Sequence, residues 1–154
     1  MTDTYRVIRA TSVAAEPAAV FEHLNDFHKW QAWSPWEDLD PQQRRNYSGA
    51  ESGVGAKYVW HGNRKVGQGS MEITESQSPN KVVVDLRFIK PFKSSAVTSF
   101  DVQPSESGST VTWTMEGPKT FMTKMMGVFK SMDAMIGPDF EKGLASLKST
   151  VESA

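Results

Sequence analysis

Histidine side chains are the first candidates for chemistry in this sequence, and there are three of them, His23, His28 and His61. His23 and His28 are five residues apart, so they would not lie on the same face of a helix. His61 follows Trp60 in a stretch of alternating apolar and polar residues, which turns the imidazole away from the apolar face. The spacing therefore predicts no zinc site, and we expect no other bound metal.

The sequence supports nucleophilic and acid–base catalysis only slightly better than metal binding. The chain has no cysteine, and none of its serines lies in the Gly-x-Ser-x-Gly pattern of a nucleophile elbow. Glu37 and His28 lie near the tryptophan-rich stretch 30–36 and are weak candidates for a general acid or base. Gly53-Val54-Gly55 precedes a strand-like stretch rather than a helix, so it does not predict a dinucleotide site. We expect no cofactor.

Length and charge restrict the class of protein. A chain of 154 residues suits one domain, residues 1–154, and a formal net charge of -1 gives no basic surface for nucleic acid. No stretch of about 18 apolar residues could span a membrane, and the N-terminus lacks the basic and apolar segments of a secretory signal. We therefore expect a cytoplasmic protein. We also expect it to be a monomer or a weak homodimer.

Apolar spacing at the start of the chain predicts a strand and two short helices. Alternation from Val7 to Val13 indicates the strand, and Pro17 suits the first turn of a helix. Asn25-Asp26 offers a cap at which a second short helix could begin. The polar stretch 38–48 is expected to be an exposed connection.

A period of two takes over between residues 53 and 116 and predicts an antiparallel meander. The strands are expected near 56–61, 66–75, 81–89, 95–103 and 109–116, with one apolar and one solvated face. The apolar face is predicted to carry Tyr58, Trp60, Met71, Ile73, Val82, Val84, Leu86, Phe88, Phe100, Val102, Val111, Trp113 and Met115.

The last segment is predicted to cover that apolar face. Apolar residues recur at three- and four-residue steps from Phe121 to Val151, which indicates an amphipathic helix of about eight turns. Gly137-Pro138 lies inside this helix, and the proline should bend or divide it there.

Methionine and aromatic residues are dense on both predicted surfaces. Five of the 8 methionines lie in the first half of the last helix, where they could fill an irregular core or form the wall of a ligand cavity. Trp33 and Trp36, on an irregular Ser-Pro stretch, are predicted to lie with Phe92 at the entrance of such a cavity. The predicted ligand-binding residues are Trp33, Trp36, Tyr58, Trp60, Met71, Phe88, Phe92, Phe100, Trp113, Met115, Met122, Met125, Phe129, Met132 and Ile136.

Four stretches of the chain, in this order and spacing, resemble the polyketide cyclase/dehydrase branch of the START-like (SRPBCC) superfamily. The resemblance implies an α+β helix-grip fold, with a curved antiparallel sheet wrapped around a long C-terminal helix and two short helices after the first strand. The stretches are Pro17-Ala18-Ala19-Val20-Phe21 with Asp26 and Trp30, Trp33-Ser34-Pro35-Trp36, residues 52–60, and residues 139–144 with Leu147-Lys148.

The resemblance leaves three functions open, because this fold carries several kinds of activity. We favour binding of a small hydrophobic or lipid-like ligand between the sheet and the C-terminal helix, since no convincing catalytic set accompanies the apolar surfaces. A polyketide cyclase or dehydratase acting through cavity shape and one acid or base is the enzymatic alternative. A protein-interaction module of the ATPase-activating co-chaperone type is the third.

Overall fold

Seven antiparallel strands and a C-terminal helix dominate the described part of the protein. The computed structural model describes residues 4–36, 40, 42–64, 67–90, 93–118 and 132–153. The sheet has the order β1-β7-β6-β5-β4-β3-β2, so the first strand joins the last strand of the meander. The strands are β1 (Thr4–Val13), β2 (Arg44–Gly49), β3 (Ala56–His61), β4 (Gln68–Gln77), β5 (Lys81–Lys90), β6 (Ser94–Ser105) and β7 (Gly108–Pro118).

Two short helices follow β1, as predicted. Helix α1 spans Pro17–Leu24 with Pro17 in its first turn, and a 3-10 helix spans Phe27–Ala32. The carboxylate of Asp26 accepts a hydrogen bond from the backbone N–H of His28 at 2.9 Å, which caps the second helix. The expected helix restart at this position is therefore confirmed.

The sheet has one apolar and one solvated face, as its alternation predicts. Residues 82, 84 and 86 of β5 are buried, and the neighbours between them are partly exposed. The same alternation runs through β3 and β7. The curved antiparallel sheet, the two short helices and the C-terminal helix together confirm the α+β helix-grip fold.

Strand β2 corrects the sequence-based prediction of an exposed connection over 38–48. Six residues, Arg44–Gly49, pair in antiparallel register with β3, from Arg44 opposite His61 to Gly49 opposite Ala56. This strand is at the edge of the sheet and most of its residues are exposed, so it lacks the apolar alternation by which the other strands are recognised. Its backbone pairing with β3, rather than its own amino-acid composition, identifies it as a strand.

Helix α2 (Met132–Glu152) lies along β1 and is fixed there by charged groups. Arg9 of β1 donates two hydrogen bonds to the Asp133 carboxylate, at 2.8 and 2.9 Å, and one to Glu141 at 3.0 Å. Gly137 lies between these two carboxylates, and a Cβ atom there would collide with the Arg9 guanidinium. The glycine thus lets the helix approach the arginine closely.

The other end of α2 is tied to the end of β1. Glu152 accepts a hydrogen bond from the backbone N–H of Ala14 at 2.8 Å and another from Lys148 at 2.7 Å, while Lys148 also donates to the Ser12 carbonyl. These contacts lower the pKa of the Glu152 carboxyl, with the Ala14 hydrogen bond as the largest cause, and Arg9 likewise lowers the pKa of Asp133. The helix stretch predicted from Phe121 to 131 lies outside the described residues.

Candidate functional site: an apolar cavity under the C-terminal helix

A cavity of about 230 Å³ lies between the concave face of the sheet and helix α2. Strands β3 to β7 form its floor, and the chain after the 3-10 helix and α2 form its sides. The lining is mostly apolar and aromatic, and it comprises Trp30, Ser34, Trp36, Gln43, Tyr58, Trp60, Met71, Leu86, Phe88, Lys90, Thr98, Trp113, Met115, Ile136 and Phe140.

One wall of the cavity owes its shape to a glycine. A Cβ atom on Gly69 would collide with the indole ring of Trp60 and with the Arg87 carbonyl oxygen, so only glycine leaves room for the ring there. The Trp60 ring then packs edge to face against Phe88, with centroids 6.0 Å apart, and stacks near Tyr58 at 6.2 Å. Three adjacent aromatic rings therefore form this wall of the cavity.

The opposite wall is closed by Trp113 and Phe140, whose rings are parallel with centroids 3.9 Å apart. The indole N–H of Trp113 donates to the hydroxyl of Thr98 at 2.8 Å, and that hydroxyl donates to the Thr114 carbonyl at 2.9 Å. The polar atoms of this wall are thus already paired inside the protein, and its surface toward the cavity is apolar.

Two polar side chains face the cavity at the other end of the sheet. Gln43 precedes β2 and is 8% exposed, and no hydrogen bond joins its carboxamide to another described residue. Lys90 ends β5 and is solvent-exposed, and it forms no ion pair within the part of the chain that the structure describes. Arg44 pairs with His61, His61 with Gln68, and Gln68 with Lys90 on successive strands. Gln43, next to Arg44, therefore lies at the same end of the sheet as Lys90.

Eight of the fifteen predicted ligand-binding residues line this cavity. They come from the 3-10 helix connection, from four strands and from α2, and only the fold brings them together. They are Trp36, Tyr58, Trp60, Met71, Phe88, Trp113, Met115 and Ile136.

Trp33 and Phe100 do not line the cavity, and the predicted place of Trp33 at its entrance is wrong. Trp33 is 1% exposed, because its ring packs on Phe100 and Trp113 and its indole N–H donates to the His23 carbonyl at 3.1 Å. A fixed hydrogen bond and ring contacts on several sides make it a core residue. Phe100 is fully buried beside it.

Several predicted positions cannot be compared with this geometry. Phe92, Met122, Met125, Phe129 and the acid–base candidate Glu37 lie outside the described residues, and only the backbone of Met132 is described. Their proposed roles remain predictions.

His28, the second acid–base candidate, lies away from the cavity. Its Nδ1 is 2.8 Å from the Asp26 carboxylate, its ring stacks on Tyr47 with centroids 4.2 Å apart, and it is exposed. It borders a separate open depression of about 170 Å³ next to β2. Nothing in this position connects the imidazole with the apolar cavity.

Sequence reasoning missed the polar members of the lining. Lys90 follows Leu86 and Phe88 at a period of two on β5, and this spacing was the available signal for its inward position. Gln43 is followed by a strand that the sequence did not reveal, so no pattern identified it. Trp30, Leu86 and Phe140 also line the cavity.

The described residues hold no group of three or more His, Cys, Asp or Glu side chains placed to bind a metal. Within the same ranges, no helix is long and apolar enough to cross a membrane.

A curved antiparallel sheet that holds an apolar cavity beneath a C-terminal helix is the architecture of the helix-grip fold. The sequence profile of the family described as "Polyketide cyclase / dehydrase and lipid transport" matches residues 5–152. The chain therefore belongs to this SRPBCC family. No curated protein matches the chain significantly in sequence.

Solved structures show the same fold at low sequence identity. Protein SA2116 from Staphylococcus aureus, of unknown function, is 12% identical with a TM-score of 0.72, over 99% of this chain and 96% of that one. Mll3558 from Rhizobium loti is 19% identical with a TM-score of 0.66, over 97% and 96%. The Aha1 dimer from Colwellia psychrerythraea is 17% identical with a TM-score of 0.64, over 96% of both chains. At these identities the likeness concerns the fold alone.

Proposed function

We propose that this protein binds a small hydrophobic or lipid-like molecule in the cavity between the sheet and helix α2. The observation that carries the proposal is an apolar, mostly aromatic space of about 230 Å³ within a fold whose family includes lipid transport. A space under about 100 Å³ would indicate a filled core, whereas pockets for drug-sized ligands measure roughly 300–1,000 Å³. The cavity therefore suits a ligand smaller than a typical drug.

The chemistry of the lining favours binding over catalysis. None of its described residues is an aspartate, a glutamate or a histidine, the side chains that most often move protons during a reaction. The Trp113 N–H donates to the Thr98 hydroxyl, and that hydroxyl donates to the Thr114 carbonyl, so both residues offer a surface for packing. Cyclase chemistry remains within the family's description, but no observation on these residues favours it.

Binding can be tested with N-phenyl-1-naphthylamine, a neutral probe that fluoresces in apolar surroundings. We expect saturable binding that Leu86→Phe weakens about tenfold, because the larger ring occupies space in the cavity. Val97→Phe is the matched control, since Val97 is 50% exposed on the solvated side of the sheet. Absence of saturable binding, or equal affinities in the two variants, would contradict the proposal.

Native mass spectrometry of protein taken from its source cells supplies an independent readout. We expect a bound small molecule that is lost on denaturation. A ligand-free spectrum that no apolar probe shifts would count against binding.

A further inference from the structure

Gln43 is a buried polar side chain with an unused hydrogen-bonding capacity. It is 8% exposed, it lines the cavity, and no described residue forms a hydrogen bond with its carboxamide. Its backbone N–H donates to the Asp40 carbonyl at 3.1 Å, which helps to hold the residue in place. No side-chain nitrogen or oxygen of the described residues is both buried and unpaired, so the carboxamide atoms of Gln43 are accessible from the cavity, where water or the head group of a ligand can bind them.

Lys90 adds a positive charge at the same end of the cavity. The chain of paired residues from Arg44 to Lys90 places both side chains at one end of the sheet, and no ion pair neutralises the ammonium within the described ranges. An amide and an ammonium together provide N–H donors for an anionic oxygen. This end of the cavity thus differs chemically from the rest.

The rest of the lining is mostly apolar. Behind the polar end, successive cross-strand rows present Trp60 and Phe88, then Met71 and Leu86, and then Met115. The cavity of about 230 Å³ is smaller than the pockets of about 300–1,000 Å³ that hold drug-sized ligands. The space suits a medium-length chain or a small ring system.

We propose that the cavity selects amphipathic acids, whose carboxylate binds Lys90 and Gln43 and whose apolar body extends toward Met115. This inference rests on the proposed function and gives it a ligand class. It assigns no covalent step to the site. The positive charge sets the preference for an anion, and the carboxamide fixes the position of the carboxylate.

The test compares decanoate, decan-1-ol and decylamine, which share one apolar chain and differ in the charge of the head. Each is titrated against bound N-phenyl-1-naphthylamine at neutral pH. We expect the protein to bind decanoate about tenfold more tightly than decan-1-ol and to bind decylamine most weakly. Equal displacement by all three compounds would overturn the inference and leave the proposed function standing.

Charge reversal at Lys90 provides the decisive variant. Lys90→Glu should remove the preference for decanoate and favour decylamine instead. Lys142→Glu is the matched control, because Lys142 is exposed on helix α2 and does not line the cavity. If the two variants behave alike, the preference arises from net charge and the assignment of Lys90 is wrong.

The carboxamide is tested separately with Gln43→Leu, which keeps the size of the side chain and removes its polar atoms. Decanoate should bind several-fold more weakly to this variant, and decan-1-ol should bind at least as well as before. Gln42→Leu, at the exposed neighbouring position, should change neither affinity. Failure of every probe, including N-phenyl-1-naphthylamine, would refute ligand binding itself and this inference with it.

Discussion

The two ends of the concave face differ in how completely their side chains are partnered. At one end, the packed end, Trp33, Phe100 and Phe140 each lie in ring contact with Trp113, and Trp33 also contacts Phe100, with centroid distances of 3.9 to 5.8 Å. At the other, the polar end, Gln43 and Lys90 line the cavity, and their side chains form no hydrogen bond or ion pair with other described residues. The same face of the sheet is thus densely packed at one end and borders the cavity at the other.

This difference separates the residues that stabilise the fold from those available to a ligand. The packed end gains dispersion contacts and satisfied hydrogen bonds, and both contribute to stability. The carboxamide and the ammonium of the polar end form no hydrogen bond or ion pair with other described residues, so they contribute little to stability. Stability and binding should therefore respond to substitution at opposite ends of the cavity.

The largest expected effect comes from emptying the packed end. Phe100→Ala should lower the free energy of unfolding by about 3–5 kcal/mol, because a fully buried ring is removed from a dense cluster. Met71→Ala should cost only about 1–2 kcal/mol, since Met71 is partly exposed and already borders the cavity. Urea unfolding of both variants measures the contrast. Equal losses would mean that the two ends are packed alike.

The next largest effect is expected at Gly69, which leaves room for the Trp60 ring beside the cavity. Gly69→Ala should push the Trp60 ring into the cavity and lower the free energy of unfolding by about 1–3 kcal/mol. The affinity for N-phenyl-1-naphthylamine should fall with it. Ser70→Ala, the adjacent position on β4, should leave both quantities unchanged. An unchanged affinity in Gly69→Ala would show that Trp60 does not control the cavity space.

The sequence predicted the packed end better than the polar end, for a physical reason. Burial on one face of a strand imposes a period of two, so Phe100 and Trp113 are identifiable from spacing alone. Trp33 follows no such period, because it lies in an irregular segment after a 3-10 helix. Its position depends on the distant ring of Phe100, which spacing does not reveal.

The polar end was not predictable because its residues have no local signature. Gln43 precedes an edge strand, Arg44–Gly49, whose polar sequence resembles that of a loop. The pairing of β2 with β3, of β3 with β4 and of β4 with β5 shows that Gln43 and Lys90 lie at the same end of the sheet. Such residues are found from tertiary geometry and from unsatisfied hydrogen-bonding groups rather than from periodicity.

A smaller effect, of opposite sign, distinguishes the polar end from ordinary core. Gln43→Leu should raise the free energy of unfolding of the ligand-free protein by about 1 kcal/mol, because an apolar side chain replaces a carboxamide that borders a mostly apolar cavity and forms no hydrogen bond with another described residue. Gln42→Leu should have no effect, since that position is exposed. Thermal or urea unfolding without ligand provides the measurement. A loss of stability in Gln43→Leu would mean that the carboxamide supports the fold.

The smallest expected effect concerns the flank of helix α2 that faces β1, away from the cavity. Asp133 and Glu152 have lowered pKa values in the folded protein, the first through Arg9 and the second mainly through the Ala14 backbone N–H. A carboxyl with a lowered pKa stabilises the fold above its ordinary pKa of about 4, and the contribution is lost as the pH falls through the lowered value. Unfolding followed from about pH 7 to about pH 3 should therefore show a loss of stability that is smaller in the Asp133→Asn, Glu152→Gln double variant. Glu106→Gln, in the exposed turn between β6 and β7, is the control and should retain the full loss.

The affinity for N-phenyl-1-naphthylamine of the double variant at neutral pH should stay close to that of the unmodified protein, because these charged contacts fix the helix on β1 and leave the lining residues Ile136 and Phe140 in place. If instead the affinity falls together with stability, the two flanks of the helix are coupled and the cavity depends on the Arg9 contacts.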